Sequence, residues 1–107
     1  MFLLVIYVPK ENLEKVKSAV FTAGGGKMGN YSNCSWQVKG QGQFKPESGS
    51  SPFLGEVNKL EKVGEYRLEL VCEDNKIKKV VEALLEAHPY ETPAYHIAKV
   101  LTLDDLD

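Results

Sequence analysis

The chain has 107 residues, 43% of them hydrophobic and 26% charged, which fits one domain with a single core over residues 1–107. Its 13 basic and 15 acidic residues give a net charge of −2, which excludes the basic surface expected of a nucleic-acid or anionic-membrane binder. Cys34 and Cys72 are too few for a disulfide scaffold, and the apolar start is too short for a signal peptide or a bilayer span, so we expect free thiols in a cytoplasmic protein.

The chain begins with a strand and a helix. Residues 2–8 are an unbroken apolar run, typical of a central strand that is covered on both faces. Residues 11–23 carry apolar side chains at spacings of three and four, which predicts an amphipathic helix. The three glycines at 24–26 are predicted to end it, because glycine readily adopts the left-handed conformation after a helix.

A glycine-rich segment, about 24–63, follows the first helix. Its length predicts an insert with its own structure rather than one open loop. We expect two short strands, 32–39 and 43–45, joined as a hairpin around Gly40-Gln41-Gly42.

The second half repeats the strand and helix pattern. Residues 66–72 alternate, which predicts a strand with Tyr66, Leu68, Leu70 and Cys72 on one face. Residues after Asp74 or Asn75, either of which is a suitable cap, have the best helical periodicity in the chain. That helix is expected to stop near Ala87, because Pro89 pushes His88 into an extended conformation.

Residues 94–103 predict the last strand, with Tyr95, Ile97 and Leu101 on one face and His96 on the other. The order of elements indicates an α+β, ferredoxin-like (split βαβ) fold, with both helices on one face of an antiparallel sheet and the glycine-rich insert before the third main strand. Because such a sheet leaves edges and one open face, we expect the protein to form a homo-oligomer.

Three motifs have both a chemical and a structural interpretation. The glycine-rich segment 24–29 resembles a phosphate-binding loop, but it follows a helix, and the carbonyl end of a helix disfavours anions. We therefore favour the interpretation that these glycines end the helix. His88, Glu91 and His96 are candidate ligands for a divalent metal; the alternative is that His88 bonds the helix end and Glu91 accepts backbone N–H groups. Cys34 is a candidate nucleophile, but a packed thiol is the favoured interpretation.

The aromatic residues of the insert and residues 88–95 remain as a candidate interface or ligand site. The insert has little basic charge around its rings, so stacking on nucleic acid is not expected. The interface or ligand candidates are Tyr31, Cys34, Trp36, Phe44, His88, Tyr90, Glu91 and Tyr95.

The chain resembles the inserted domain of the NGG1-interacting-factor-three-like family over nearly its whole length. The motifs that carry the resemblance are Gly29-Asn30-Tyr31-Ser32, Cys34-Ser35-Trp36, Gly40-x-Gly42-x-Phe44-x-Pro46, Gly49, Gly55-Glu56 and His88-Pro89-Tyr90-Glu91-x-Pro93-Ala94-Tyr95. Thr92, where the family often has an acid, and His96, where an aspartate is common, depart from the pattern.

The resemblance implies a fold like that of the trimeric CutA and PII proteins. In full-length members the inserted domain interrupts a larger domain that binds two metal ions and resembles a hydrolase, and the halves of that domain are absent from this sequence. We therefore expect a free-standing CutA/PII-like module, most simply a trimer, that binds an unknown protein or small molecule rather than acting as an enzyme. No cofactor is predicted, and a metal-binding protein using His88, Glu91 and His96 is the alternative.

Overall fold

The computed structural model describes residues 1–107. It contains four strands, two α-helices and a short 3₁₀ turn, in the order β1 (Phe2–Pro9), α1 (Lys10–Thr22), β2 (Trp36–Phe44), β3 (Glu61–Cys72), α2 (Ile77–Ala87), β4 (Tyr95–Lys99) and the turn Leu103–Asp105. The strands form one sheet with the order β2-β3-β1-β4, and every neighbouring pair is antiparallel. The ferredoxin-like arrangement predicted from the sequence is confirmed.

The core lies between the two helices and one face of the sheet. Strand β1 contributes alternate residues, Leu4, Ile6 and Val8, and β3 contributes Leu68 and Leu70 opposite them. The helices close this layer with buried apolar residues, Leu13, Val16, Val20, Val80 and Leu84. The apolar periodicities of residues 11–23 and 66–72 therefore identified the buried faces correctly.

Strand β1 is central, as predicted, but the helices cover only one of its faces. Val5, on the other face, is buried by its neighbours in the sheet, whereas Leu3 and Tyr7 are only half-buried. The same face of β3 carries Arg67 and Glu69, which form an ion pair of 3.0 Å. The continuous apolar run in β1 therefore leaves part of an apolar surface uncovered in the single chain.

The glycines after α1 end the helix, as predicted. Gly24 and Gly26 have positive φ angles of 113° and 76°, which residues with a side chain rarely adopt. The N–H groups of Gly24 and Gly25 donate to carbonyls of the helix, and the N–H of Gly26 donates to the carbonyl of Val71 in β3. These N–H groups are thus already used inside the fold.

The predicted hairpin around Gly40-Gln41-Gly42 is wrong. These residues lie in the middle of one continuous strand, β2, which pairs with β3 over its whole length. Gly42 is needed for a close approach, since an added Cβ would lie 1.8 Å from Oε1 of Glu65. A glycine inside a strand marks either a turn or such an approach, and here it marks the second.

The limits of β3 and β4 also differ from the predicted ones. Strand β3 begins at Glu61 rather than at residue 66, because the start of β3 pairs with the end of β2. Strand β4 ends at Lys99 rather than at residue 103, and Leu103 begins the 3₁₀ turn. Pairing with a neighbour, which sequence alternation does not report, sets both limits.

The helices are short, with 13 residues in α1 and 11 in α2. The predicted cap of α2 is wrong: Lys76 occupies the N-cap position and no side chain caps the helix. Asp74 instead binds the ammonium group of Lys99 in β4, so its charge is used between elements. No helix in the structure has the length and apolar character needed to cross a bilayer.

Candidate functional site

A cavity of about 430 Å³ lies where the loop 45–60, the end of β2 and the turn after α2 meet. Its wall contains the aromatic rings of Phe44, Phe53 and Tyr90. It also contains the carboxylates of Glu47, Glu65 and Glu91, against the single ammonium group of Lys45. We call this space the loop cavity.

The loop that closes the cavity is folded on itself. The N–H of Asn58 donates to the carbonyl of Pro46 at 2.7 Å, and the Ser50 hydroxyl donates to the carbonyl of Glu47 at 2.7 Å. The N–H of Ser51 donates to Oε2 of Glu91 at 2.9 Å, which ties the loop to the turn after α2. Internal bonds of this kind are typical of compact surface loops with a functional role.

The buried side chain of His88 connects that turn to strand β1. The residue is 6% exposed and takes the extended conformation, φ −73° and ψ 135°, that Pro89 was predicted to impose. Its Nδ1 accepts the N–H of Tyr90 at 3.2 Å, so Nε2 carries the proton and donates to the Tyr7 carbonyl at 2.7 Å. Burial lowers the pKa of His88, although the Tyr7 carbonyl opposes that shift. The imidazole is therefore a neutral link between β1 and the turn.

Tyr90 is the centre of the loop cavity. Its ring packs against Phe44 and Phe53, with centroid distances of 5.9 Å and 6.3 Å, and against His88 at 5.0 Å. Its hydroxyl is buried and makes no well-aligned hydrogen bond. Burial and the adjacent Glu65 carboxylate raise the pKa of Tyr90 to about 12. Burial raises the pKa of Glu65 too, and its contact with the Tyr90 hydroxyl opposes that shift.

The three candidate metal ligands do not converge in the structure. Both ring nitrogens of His88 are engaged by backbone groups, and the Glu91 carboxylate accepts the N–H of Ser51. His96 is exposed on the open face of the sheet, where its ring meets Tyr7 edge to face at 6.5 Å. No cluster of three or more potential ligands forms anywhere in the chain. In the single chain, His88 and Glu91 make contacts with backbone groups of the kind that the structural alternative expects.

Cys34 is half-buried, and its thiol lies 3.8 Å from the carbonyl of Ser32 with no histidine or carboxylate bonded to it. Cys72 is 2% exposed, and burial raises the pKa of its thiol. Both cysteines are free thiols, as expected. Neither has the neighbouring base that would activate a nucleophile.

A second surface lies on the helix-free side of the sheet, which we call the open face. It carries Trp36 and Val38 in β2, which are 58% and 43% exposed. They pair with Glu69 and Arg67 of β3, so their side chains share the open face with that ion pair. Tyr31, in the segment before β2, is 75% exposed.

The candidate interface and ligand residues thus fall into three groups. Phe44, Tyr90 and Glu91 line the loop cavity, with His88 below Tyr90. Tyr31, Cys34 and Trp36 lie at or before the opposite end of β2. Tyr95 packs against the hydrophobic core, apart from the other two groups.

Two residues of the loop cavity, Glu65 and Phe53, are not among the residues predicted from the sequence. Glu65 lies just before the predicted strand, and no motif marks it. The alternation of β3 gives no signal for it, because the burial pattern changes phase there: Glu65 and Tyr66 are both partly buried.

Several known proteins are similar in sequence to most of this chain. A protein of Mycobacterium tuberculosis named "GTP cyclohydrolase 1 type 2 homolog" is 50% identical over 93 residues, which cover 87% of this chain and 24% of that protein. A protein of the same name from Bacillus subtilis is 47% identical over 97 residues, which cover 91% of this chain and 26% of that protein. The chain therefore spans about a quarter of the length of these curated relatives. No protein-family model matches it.

Solved structures give the same picture. A Bacillus cereus protein related to NIF3 superposes with a TM-score of 0.77 at 36% identity, over 90% of this chain and 24% of that chain. CutA1 from Pyrococcus horikoshii superposes with a TM-score of 0.69 at 20% identity, over 99% of this chain and 91% of that chain. The second match shows a shared fold over almost the whole of both chains.

Proposed function

We propose that this chain, a CutA/PII-like domain that matches the inserted domain of the NGG1-interacting-factor-three-like family, is a ligand-binding or regulatory module that assembles as a homo-oligomer. The observation that carries the proposal is the open face of the sheet. The module acts by binding, with the loop cavity as its ligand site.

Assembly through the open face is supported by exposed apolar side chains in a regular strand. Trp36 and Val38 in β2 are exposed and Leu3 and Tyr7 in β1 are half-buried on the same face, on either side of the charged Arg67 and Glu69 of β3. Exposed apolar side chains grouped on one face with polar groups among them are typical of interaction sites. The Arg67–Glu69 pair adds a polar group with which a partner has to align. A trimer is the proposed state, from the resemblance to CutA and PII proteins.

Ligand binding is supported by the size and lining of the loop cavity. A volume of about 430 Å³ lies within the range of small-molecule sites, roughly 300–1,000 Å³. Its lining combines three aromatic rings with a few polar groups, as such sites do. The loop that covers it is held to the turn by one bond, from Ser51 to Glu91.

The relatives are named as homologues of a GTP cyclohydrolase, and we do not propose that activity for this chain. The chain matches about a quarter of those proteins, and it has no cluster of metal-binding side chains. Metal binding through His88, Glu91 and His96 stays an alternative that needs ligands from more than one chain or a rearrangement of the turn.

Trp36 provides a direct test of assembly, since it is the single tryptophan of the chain. Its emission should move to shorter wavelength as protein concentration rises from low to high micromolar, because assembly buries an indole that is 58% exposed in one chain. Glu82→Gln, on the exposed side of α2 and therefore away from the open face, is the control and should show the same shift as the wild type. An emission spectrum that stays solvent-exposed at every concentration, together with a monomeric mass, would refute the proposal.

A further inference from the structure

We propose that the loop cavity binds a small organic cation, an ammonium group carried on an apolar stem or ring. The proposal rests on the ligand-binding role proposed above and specifies its ligand class. It follows from the charge of the cavity wall, the arrangement of its rings, and the buried hydroxyl of Tyr90.

The charge of the wall favours a cation. Glu47, Glu65 and Glu91 oppose the single ammonium group of Lys45. A phosphate or carboxylate ligand would meet this excess of negative charge at short range, where like charges disfavour binding. A neutral apolar ligand would remove water from Glu65 without giving it a partner.

The rings form the apolar part of the site. Phe44 and Phe53 are tilted by 54° and 49° against Tyr90, so the three rings meet at angles instead of stacking as parallel plates. The faces of aromatic rings attract cations, and ammonium ligands are commonly held by groups of such rings. The same rings offer contact area for the apolar part of the ligand.

The polar centre of the site is Glu65 with Tyr90. The Tyr90 hydroxyl is buried without a well-aligned hydrogen bond, which is uncommon for a buried polar group. It lies next to the Glu65 carboxylate, to which it can donate, so Glu65 is the acceptor for the ammonium N–H and Tyr90 is the group that positions that carboxylate. Gly42 leaves room for the Glu65 side chain in this position, since a Cβ at residue 42 would lie 1.8 Å from Oε1 and would displace the carboxylate. The glycine and the carboxylate therefore act together.

Calorimetric titration of the full chain with three ligands of similar shape tests the proposal. The probes are phenethylammonium, the neutral phenethyl alcohol and the anionic phenylacetate. We expect measurable heat for phenethylammonium and affinities weaker by roughly tenfold or more for the other two, since a charge-assisted hydrogen bond contributes about 1.5–3 kcal/mol.

Three variants locate the site. Glu65→Gln should weaken phenethylammonium binding by roughly tenfold, as the loss of a charged hydrogen-bond partner, and Tyr90→Phe by roughly threefold, as the loss of the hydroxyl that positions the Glu65 carboxylate. Gly42→Ala should weaken it as well, by displacing the Glu65 carboxylate without removing it. Glu82→Gln, which removes one carboxylate from the exposed side of α2, is the matched control and should bind like the wild type.

Equal or tighter binding of phenylacetate or phenethyl alcohol would overturn the proposal, as would undiminished binding in both Glu65→Gln and Gly42→Ala. Absence of binding to all three probes would overturn it too. In each case a concentration-dependent shift of Trp36 emission leaves the proposed module intact, whereas a protein that remains monomeric counts against the module itself.

Discussion

Replacement of His88 by alanine tests how the turn after α2 is held. The side chain is 6% exposed and joins two backbone groups, the carbonyl of Tyr7 at 2.7 Å and the N–H of Tyr90 at 3.2 Å. A buried polar group that loses its partner costs about 1–3 kcal/mol. The bond to Tyr90 is long, so the two losses together should lower the free energy of unfolding by about 2–4 kcal/mol.

Urea denaturation followed by circular dichroism at one protein concentration measures this loss. For a domain of this size it corresponds to a fall in melting temperature of roughly 8–16 °C. His88→Asn keeps an acceptor for the N–H of Tyr90 and should fall between His88→Ala and the wild type. Lys79→Ala, an exposed change in the neighbouring helix, is the control and should stay within about 0.5 kcal/mol. A loss below about 1 kcal/mol in His88→Ala would refute this account of the turn.

Three further predictions concern titration, thiols and metal. Burial lowers the pKa of His88 from its ordinary 6.5, so the unfolded chain binds a proton at this residue more readily than the folded chain does. As far as His88 determines it, the free energy of unfolding should therefore be highest above about pH 7 and should fall as the pH drops below the ordinary pKa. Urea titrations over this range should show that fall in the wild type and less of it in His88→Gln; equal slopes contradict the assignment. Iodoacetamide should alkylate Cys34 well before Cys72, whose thiol is buried and has a raised pKa, and mass spectrometry showing equal rates would argue the reverse. Metal content after purification without a histidine tag should be the same in the wild type, His88→Ala and His96→Ala, because the structure forms no ligand cluster; loss of metal in either variant would revive the metal site.

Local periodicity predicted the buried faces because burial alternates with the geometry of each element. Leu68 and Leu70 in β3, and Val16 and Val20 in α1, lie in the core as their spacing indicated. The glycines of β2 could not be interpreted in the same way. Whether Gly42 marks a turn or a close approach depends on Glu65, which the chain places beside it only through the pairing of β2 with β3.

Only part of the candidate site could be predicted, because some of its residues are distinguished only by contacts between distant parts of the chain. Tyr90 and Glu91 lie in the segment 88–95, which its prolines and aromatic residues distinguish from the rest of the chain. Phe44 belongs to the separate glycine-rich motif that begins at Gly40. Glu65 is one carboxylate among many on an ordinary strand. Its importance arises from contacts across the sheet and from burial beside Tyr90, and neither is a local property of the sequence.

Sedimentation equilibrium tests the assembly of this domain most directly. Val38 pairs with Arg67 and points to the open face, whereas Gln41 pairs with Gly64 and points to the other side of the same strand. We predict an oligomeric mass for the wild type and for Gln41→Glu, and a monomeric mass for Val38→Glu, which adds the same charge to the open face. A wild-type protein that remains monomeric at high micromolar concentration, or a Val38→Glu variant that assembles as the wild type does, would contradict the account.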